Sequence, residues 1–325
     1  MKGIRVNRLG GPEVLEYTDL PDPIAQAGQV VIDVRGASVN YADIKARSGH
    51  YHLGKKPPFI PGIDVAGVIA ATGRGVRKLK AGDRVIAFPA SGSYAEKALA
   101  SAELTFKIPA AIGFESAAAC PIVAGTSTHM LVYAARLKRG ESVLVHAATG
   151  GVGSTAIQVA KVLGASRVIA SVGSPWKKKH ARDFGADVVI DNRSGDYAGE
   201  VNRLTDGQGV DVILNPIGGA TLAQDFKCLA PFGRLIFFGA MGGEPAAPPL
   251  ERLHPNNQSM IGFSFGHYRR FRPRLVSKTI NRAIRLMAEG QITIHLSNQF
   301  PLDKAAEAHT CIETRGALGK VILTP

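Results

Sequence analysis

The chain has 325 residues and a formal net charge of +13, and 45% of its residues are hydrophobic while 20% are charged. One typical core cannot hold this length, so we expect two domains in an ordinary packed globular protein. The sequence has neither a secretory signal nor an apolar run of about 18 residues, so we expect no membrane span. Its three cysteines are far apart, which argues against a disulfide framework and favours a reducing, cytoplasmic compartment.

The first 125 residues predict a compact, mainly β domain. Short β-rich runs are separated by glycine and proline turns, and the clearest runs are Gln29–Val39, Asp64–Gly73 and Asp83–Phe88. Short strands punctuated by turn residues are typical of such a domain.

From Glu141 onward, short apolar runs alternate with helical segments. Strands are predicted at Ser142–Ala148, Arg167–Ser171, Asp187–Asp191, Asp211–Asn215 and Gly233–Gly239, and helices at Gly150–Ala165 and about Pro175–Phe184. This alternation indicates parallel βαβ units in an α/β doubly wound sheet. A further helix at Val276–Gly290 and a closing strand over residues 319–325 follow.

The segment Ala147–Gly153, with the sequence AATGGVG, lies between a predicted strand and a predicted helix. Small residues let the backbone approach a pyrophosphate, and the helix N-terminus offers N–H groups and a positive dipole end. A glycine-rich structural turn is the alternative interpretation. A dinucleotide site, however, requires this strand–turn–helix context, so we expect a dinucleotide cofactor here.

The residues after the second strand of this region decide between NADH and NADPH. An NADH site normally has an acidic residue about 20 positions beyond the loop, bonded to the ribose 2′-hydroxyl. The stretch Ser171–Lys179 contains no carboxylate and ends in three lysines. A solvated lysine face is the alternative, but charge and position favour NADPH. Its 2′-phosphate would lie against Ser174 and Lys177, with Lys178 or Arg193 as helpers.

A basic cluster follows later in the chain. It consists of Arg269, Arg270, Arg272 and Arg274. Together with the net charge of +13, it points to phosphate-bearing partners, either a nucleotide or a nucleic acid. A solvated basic surface explains the cluster equally simply, and composition alone is weak evidence for nucleic-acid binding.

Five segments carry a resemblance to a known family. They are Val39–Tyr51, Pro58–Ala87, the AATGGVG loop, the run GADVVID and the closing GKVIL. With these segments, nearly the whole chain resembles the zinc-independent, zeta-crystallin-like quinone oxidoreductase branch of the medium-chain dehydrogenase/reductase superfamily.

The resemblance implies three segments. Residues 1–124 and 264–325 would form a GroES-like, mainly β catalytic domain, and residues 125–263 a Rossmann NADPH-binding domain. Relatives are commonly homodimers that pair these sheets edge to edge, which would make Ser259–Phe265 an interface strand. The implied cofactor-binding residues are Thr126, Gly150, Gly151, Val152, Gly153, Gly173, Ser174, Lys177, Asn192, Ile217, Gly239, Ala240, Phe263 and Phe265.

The resemblance also implies that no metal is bound. Zinc-dependent relatives place Cys, His and Cys around a catalytic metal, and the matching positions here are Asn40, Ile63 and Val123. Isoleucine and valine cannot ligate zinc, and asparagine is not a usual ligand. Cys120 is near the third position but has no partner nearby in sequence. The clustered cysteines of a structural zinc lobe are absent.

The expected activity is hydride transfer from NADPH to a quinone or a similar electron-poor small molecule. Reduction of 2-enoyl or 2-alkenal substrates is the near alternative, and an NADPH-binding protein with an RNA-binding role is the remote one. The loop Gly242–Asn257 does not decide between quinone and enone. The candidate catalytic residues are Asn40, as an amide donor, and Tyr51, as a hydrogen-bond or proton donor. A packing role for Tyr51 is the alternative. One departure from relatives is Asn192, where a tyrosine is common.

Overall fold

The computed structural model describes residues 1–54, 56–193, 195–242, 247 and 250–325. The described chain forms two compact units: one comprises Met1–Gly125 and Gly266–Pro325, and the other Thr126–Phe265. We refer to them as the discontinuous unit and the central unit. In the described part of the chain, no helix is long and apolar enough to cross a membrane.

The elements are numbered in chain order. The strands are β1 Lys2–Val6, β2 Leu15–Asp19, β3 Gln29–Val39, β4 Val65–Thr72, β5 Arg84–Pro89, β6 Lys97–Lys107, β7 Ser142–Val145, β8 Arg167–Val172, β9 Val188–Asp191, β10 Val210–Asn215, β11 Leu229–Phe237, β12 Ser259–Gly262, β13 Leu296–Pro301 and β14 Lys320–Thr324. The helices are α1 Tyr41–Arg47, α2 Phe114–His129, α3 Gly151–Val162, α4 Lys178–Asp183, α5 Tyr197–Leu204, α6 Thr221–Cys228, α7 Phe265–Phe271, α8 Pro273–Ala288 and α9 Ala305–Glu313.

The discontinuous unit is built on a closed β sheet. Strand β3 pairs antiparallel with β4 and, through Gln29–Asp33, with β6, while β5 joins β4 to β6. The four strands therefore form a ring around a buried core that includes Val30, Ile32 and Val85. The other end of β3 pairs with β14, which pairs in turn with β13. This architecture confirms the mainly β domain expected from the sequence.

The central unit contains a six-stranded parallel sheet with the order β12-β11-β10-β7-β8-β9. The strand order reverses between β7 and β10, so the loops that follow these two strands diverge at the carboxyl edge of the sheet. In doubly wound sheets this switch point is where a nucleotide binds. The sheet confirms the predicted Rossmann-type α/β fold.

Several element boundaries differ from the expected ones. Strand β7 ends at Val145 rather than Ala148, because Ala147 has φ 49° and turns the chain out of the sheet. The helix expected from Pro175 is a 3₁₀ turn, Pro175–Lys177, followed by α4. Helix α8 begins at Pro273, three residues before the predicted start, because proline fits a first helical turn.

Candidate active site

The glycine-rich loop joins β7 to α3 in the central unit. Gly150 is the N-terminal cap residue of α3, and no side chain of the described residues caps this helix. A Cβ atom at Gly153 would lie 2.3 Å from the carbonyl oxygen of Ala147, so the tight turn requires glycine there. The first-turn N–H groups of α3, including those of Gly151 and Val152, are thus left for an anion.

Thr126 lies on α2 and is buried. The next residue, Ser127, donates its hydroxyl to the carbonyl oxygen of Val152 at 3.0 Å. This bond ties α2 to the first turn of α3 at the residue that follows Thr126.

The ends of β8 and β9 lie side by side. A Cβ atom at Gly173 would be 3.5 Å from Oδ1 of Asn192 and 3.7 Å from Nε of Arg193. Ser174 follows Gly173 and donates its hydroxyl to the Gly173 carbonyl at 2.6 Å. Nζ of Lys177 lies 5.0 Å from the centre of the Trp176 ring. Guanidinium, amide and hydroxyl groups therefore surround a backbone position that has no side chain.

The loops after β10 and β11 hold Ile217, Gly239 and Ala240. Oδ1 of Asn215 accepts hydrogen bonds from the backbone N–H groups of Ile217 at 2.7 Å and Gly218 at 2.9 Å. A Cβ atom at Gly239 would be 2.7 Å from the Pro216 carbonyl oxygen, so glycine permits the two loops to touch.

A buried polar network supports these loops, and the sequence reasoning missed it. Nδ2 of Asn215 donates to Oδ2 of Asp225 at 2.5 Å, and Oδ1 of Asp225 is 2.7 Å from Nε2 of His146 and 2.9 Å from the hydroxyl of Tyr197. Nδ1 of His146 is 3.0 Å from the hydroxyl of Ser171. The available signal was Asn215, a polar residue that closes the apolar strand DVILN.

Phe263 and Phe265 form an aromatic cluster with α2. Their ring centres are 6.2 Å apart and lie 5.6 Å and 5.5 Å from the imidazole of His129. Burial lowers the pKa of His129 to about 4, so the imidazole is neutral near pH 7. All the cofactor residues predicted from the sequence thus lie in the central unit, in or next to the connections at the ends of its strands or, for Thr126, on α2.

Asn40 lies in the discontinuous unit and is buried within a charged network. Nζ of Lys320 donates to Oδ1 of Asn40 at 2.7 Å and to the Val39 carbonyl at 2.6 Å. Because an ammonium can only donate, the amide oxygen faces Lys320 and the amide nitrogen faces Asp64. That nitrogen donates to Oδ1 of Asp64 at 2.9 Å and to the Ser38 carbonyl at 3.2 Å. Both N–H bonds of the amide are used, which favours a positioning role for Asn40.

Asp43 and Asp64 are fully buried carboxyl groups in the same network. Asp43 accepts the backbone N–H of Asn40 at 2.9 Å, and Asp64 accepts the hydroxyl of Ser38 at 2.7 Å. Burial, with the like charge of Asp64, raises the pKa of Asp43 to about 7. Burial also raises the pKa of Asp64, although the Lys320 ammonium acts in the opposite direction.

Arg47 lies in the same segment as Asn40 and Tyr51, but its guanidinium has structural partners. Its Nε donates to the Gly10 carbonyl at 3.1 Å, its Nη2 to Glu313 at 2.6 Å, and its Nη1 to Nδ1 of His309 at 3.3 Å. Burial lowers the pKa of His309 to about 3, so the neutral ring carries its proton on Nε2, 3.1 Å from the hydroxyl of Tyr94.

Tyr51 follows α1 and is half-buried. Its ring packs edge-on against His52, with the ring centres 4.8 Å apart. Burial raises the pKa of the Tyr51 hydroxyl, and the nearby Arg269 cation lowers it. The hydroxyl is thus a protonated phenol near neutral pH, beside a fixed positive charge.

The three positions that match a zinc site hold no suitable donor set. Asn40 is engaged with Lys320 and Asp64, and Ile63 and Val123 have no ligating atom. Cys120 lies three residues before Val123, and burial raises the pKa of its thiol to about 12. Within the described residues, no group of three or more His, Cys, Asp and Glu side chains is arranged to hold a metal ion. The loop Gly242–Asn257 includes residues 243–246 and 248–249, which lie outside the described residues.

Comparison with family models and curated proteins agrees with this architecture. A model for the alcohol dehydrogenase GroES-like domain matches residues 26–171, and a model described as zinc-binding dehydrogenase matches residues 151–288. The quinone oxidoreductase of Rattus norvegicus is 35% identical over 326 residues, which span 99% of this chain and 97% of the rat protein. The quinone oxidoreductase of Homo sapiens is 34% identical over the same length and coverage.

Solved structures are similar over the full length. The native structure of a mycobacterial quinone oxidoreductase has a TM-score of 0.90 and 35% identity, with 100% of both chains covered. The Escherichia coli quinone oxidoreductase complexed with NADPH has a TM-score of 0.91 and 30% identity, again with 100% of both chains covered.

The ring-closed β sheet and the doubly wound sheet with its glycine-rich loop define an oxidoreductase of the medium-chain dehydrogenase/reductase class. Within this class, the full-length similarities show that the chain belongs to the quinone oxidoreductase family.

Proposed function

We propose that this protein uses NADPH, without zinc, to reduce a quinone or a similar electron-poor small molecule. The observation that carries the proposal is the carboxyl edge of the central sheet. There the uncapped N-terminus of α3 suits a pyrophosphate, and the β8–α4 connection offers Ser174 and Lys177 but no carboxylate. A 2′-phosphate needs this positive, acid-free surrounding. The NADPH complex of the Escherichia coli relative supports the same choice.

When bound, NADPH supplies a hydride from C4 of its nicotinamide. The acceptor gains that hydride and one proton from a side chain or water, so a quinone leaves as a hydroquinone and the cofactor as NADP⁺. The chain then has to hold the acceptor and stabilise the negative charge that develops on its oxygen. We assign the hydrogen bond or proton to Tyr51 and the positioning of its segment to Asn40.

Zinc independence rests on residue chemistry. A catalytic zinc site needs three protein ligands, and the three matching positions offer only the engaged amide of Asn40 and the apolar side chains of Ile63 and Val123. Quinones and conjugated carbonyls accept hydride without metal activation, so the reaction does not require the missing ligands.

The test is a substrate panel. Oxidation of NADPH and of NADH would be followed with quinones, 2-enones and 2-alkenals, with and without a strong chelator. We expect NADPH oxidation with quinones that is unchanged by the chelator. Activity that chelation abolishes and zinc restores would overturn zinc independence. If none of the acceptors supported NADPH oxidation, the proposed function would be overturned.

Lys177→Ala is expected to raise the KM for NADPH by roughly tenfold to a hundredfold and to leave that for NADH nearly unchanged. A charge-assisted hydrogen bond to phosphate contributes about 1.5–3 kcal/mol, which corresponds to this range. The matched control is Lys179→Ala, because Lys179 is exposed and pairs with Asp183 at 2.8 Å. Equal affinity of the native protein for NADPH and NADH would contradict the assignment.

Enone reduction is the second candidate, and Tyr51 favours it. An enone needs a proton delivered after hydride addition, whereas a reduced quinone takes its proton readily from solvent. Tyr51→Phe is therefore expected to slow turnover of an enone by roughly tenfold or more and that of a quinone less. Tyr41→Phe, at the exposed start of α1, is the control. Native rates with both acceptors in Tyr51→Phe would leave Tyr51 with no chemical role.

We also propose that the catalytic domain comprises residues 1–124 and 264–325 and the NADPH domain residues 125–263, in a cytoplasmic homodimer. Strand β12 is at the edge of the central sheet, and an unpaired edge strand is suited to pairing with a second copy.

A further inference from the structure

Arg269 on α7 is a half-buried cation whose hydrogen-bonding capacity is largely unused. Its guanidinium packs 4.9 Å from the centre of the Phe88 ring, and its Nη1 donates to the Ile63 carbonyl at 3.3 Å. Its Nε is buried and has no hydrogen-bond partner among the described residues. A guanidinium has five N–H bonds, and a buried donor without a partner costs free energy. The guanidinium therefore has N–H groups that can donate to a further hydrogen-bond acceptor.

The neighbour of this cation is Tyr51. A Cβ atom at Gly266 would lie 3.5 Å from Nη2 of Arg269, 3.6 Å from the hydroxyl oxygen of Tyr51 and 2.3 Å from Cδ1 of Leu53. Glycine at position 266 therefore lets the segment from Tyr51 to Leu53 pack directly on α7. As a result, one nitrogen of Arg269 and the Tyr51 hydroxyl both lie within 3.6 Å of the same point.

The charges around Arg269 keep it protonated. Burial lowers the pKa of its guanidinium, while Tyr51, Asp64 and Asp43 act in the opposite direction. Arginine remains charged at any working pH. The cationic fork of Arg269 beside the Tyr51 hydroxyl is thus permanent and does not depend on a bound metal.

We propose that Arg269 is a substrate-contacting residue that stabilises the acceptor oxygen together with Tyr51. This deepens the proposed function and rests on it. As hydride adds to the acceptor, its carbonyl oxygen takes the negative charge and becomes an enolate or a hydroquinone anion. Arg269 donates hydrogen bonds from its N–H groups to that oxygen, while Tyr51 or water supplies the single proton. Such donors are most effective where water is excluded.

The helix offers a matched control. Arg270 is exposed, and its guanidinium lies 5.1 Å from the ring centre of Phe271, whereas that of Arg269 lies over Phe88. Arg270→Met removes one positive charge and shortens the side chain as Arg269→Met does, and it does so on the same helix. An effect of general charge or of helix stability would therefore appear in both variants, and an effect of oxyanion contact only in Arg269→Met.

The experiment measures binding before turnover. 4-Nitrophenolate serves as an oxyanion probe because its absorbance changes when its oxygen is hydrogen-bonded. We expect Arg269→Met to weaken its binding by roughly tenfold to a hundredfold, the range for one charge-assisted hydrogen bond, and Arg270→Met to bind like the native protein. Arg269→Lys, which keeps the charge but lacks the fork, should fall between them. It also replaces Arg269→Met if that variant does not fold.

Turnover gives the second readout. We expect Arg269→Met to lower kcat with enones by a similar factor and to leave the KM for NADPH near its native value. Equal probe binding by the Arg269→Met and Arg270→Met proteins would overturn the role of Arg269. The native protein could instead bind the probe through Arg269 and yet fail to oxidise NADPH with any of the acceptors tested. In that case the proposed function fails while the oxyanion site stands.

Discussion

Lys320→Met is expected to destabilise the discontinuous unit by about 3–5 kcal/mol, the usual cost of removing one partner of a buried ion pair. Nζ of Lys320 donates to the Val39 carbonyl and to Oδ1 of Asn40. Its positive charge also lowers the pKa values of the Asp43 and Asp64 carboxyl groups. Methionine fills a similar volume but removes the Lys320 cation from beside both carboxyl groups. Urea unfolding at pH 7.5 would measure the loss.

The control for this substitution is Lys304→Met. Lys304 is exposed and pairs with Glu307 at 2.9 Å on the surface of α9, and exposed pairs contribute about 0–1 kcal/mol. A Lys320→Met protein that unfolds at the same urea concentration as Lys304→Met would show that Asp43 and Asp64 are already neutral and need no cation.

The cofactor half of the candidate site could be predicted because its signals are local. The loop Ala147–Gly153 and the lysines after β8 are short runs of sequence, and their position in a βαβ unit follows from the alternation of strands and helices. The structure adds what joins these runs, such as Ser127 on the Val152 carbonyl. Such a contact spans 25 residues and leaves no local pattern.

The catalytic half was harder because its partners are far apart in the chain. Lys320 reaches Asn40 across 280 residues, and Arg269 reaches Ile63 across 206. From the sequence, Asn40 looked like a donor for substrate, whereas its long-range partners occupy its amide. Arg269 looked like one arginine of a basic surface cluster, whereas its neighbours Phe88 and Tyr51 set it apart from Arg270. Residue type and spacing carry no record of these pairings.

Asp43→Asn is expected to remove a pH dependence of stability between about pH 4 and pH 7. Burial, together with the like charge of Asp64, raises the pKa of Asp43 from 3.8 to about 7 in the folded protein. The folded state therefore holds a proton that the unfolded state has already released. The stability contributed by this group is complete below about pH 4 and is lost as pH rises through about 7.

The quantity to measure is the difference in free energy of unfolding between Asp43→Asn and the native protein, at half-unit steps from pH 4 to pH 8. One pKa unit corresponds to about 1.4 kcal/mol, so the difference should move in favour of the variant by roughly 2–4 kcal/mol over this range. The amide oxygen that this substitution introduces can still accept the backbone N–H of Asn40, so the bond that starts α1 is kept.

The exposed carboxylate of Asp303 provides the reference, because Asp303→Asn removes one charge without changing a buried group. Its difference from the native protein should be nearly constant from pH 4 to pH 8. Lys320, Asp64 and the Tyr94 hydroxyl, which lie around Asp43, are the same in both proteins of the Asp43 comparison. A difference that depends on pH therefore reports the proton of the coupled Asp43 and Asp64 pair. If the difference in free energy of unfolding between Asp43→Asn and the native protein did not change with pH, Asp43 would titrate alike in the folded and unfolded chain. Lys320 would then fully offset its burial.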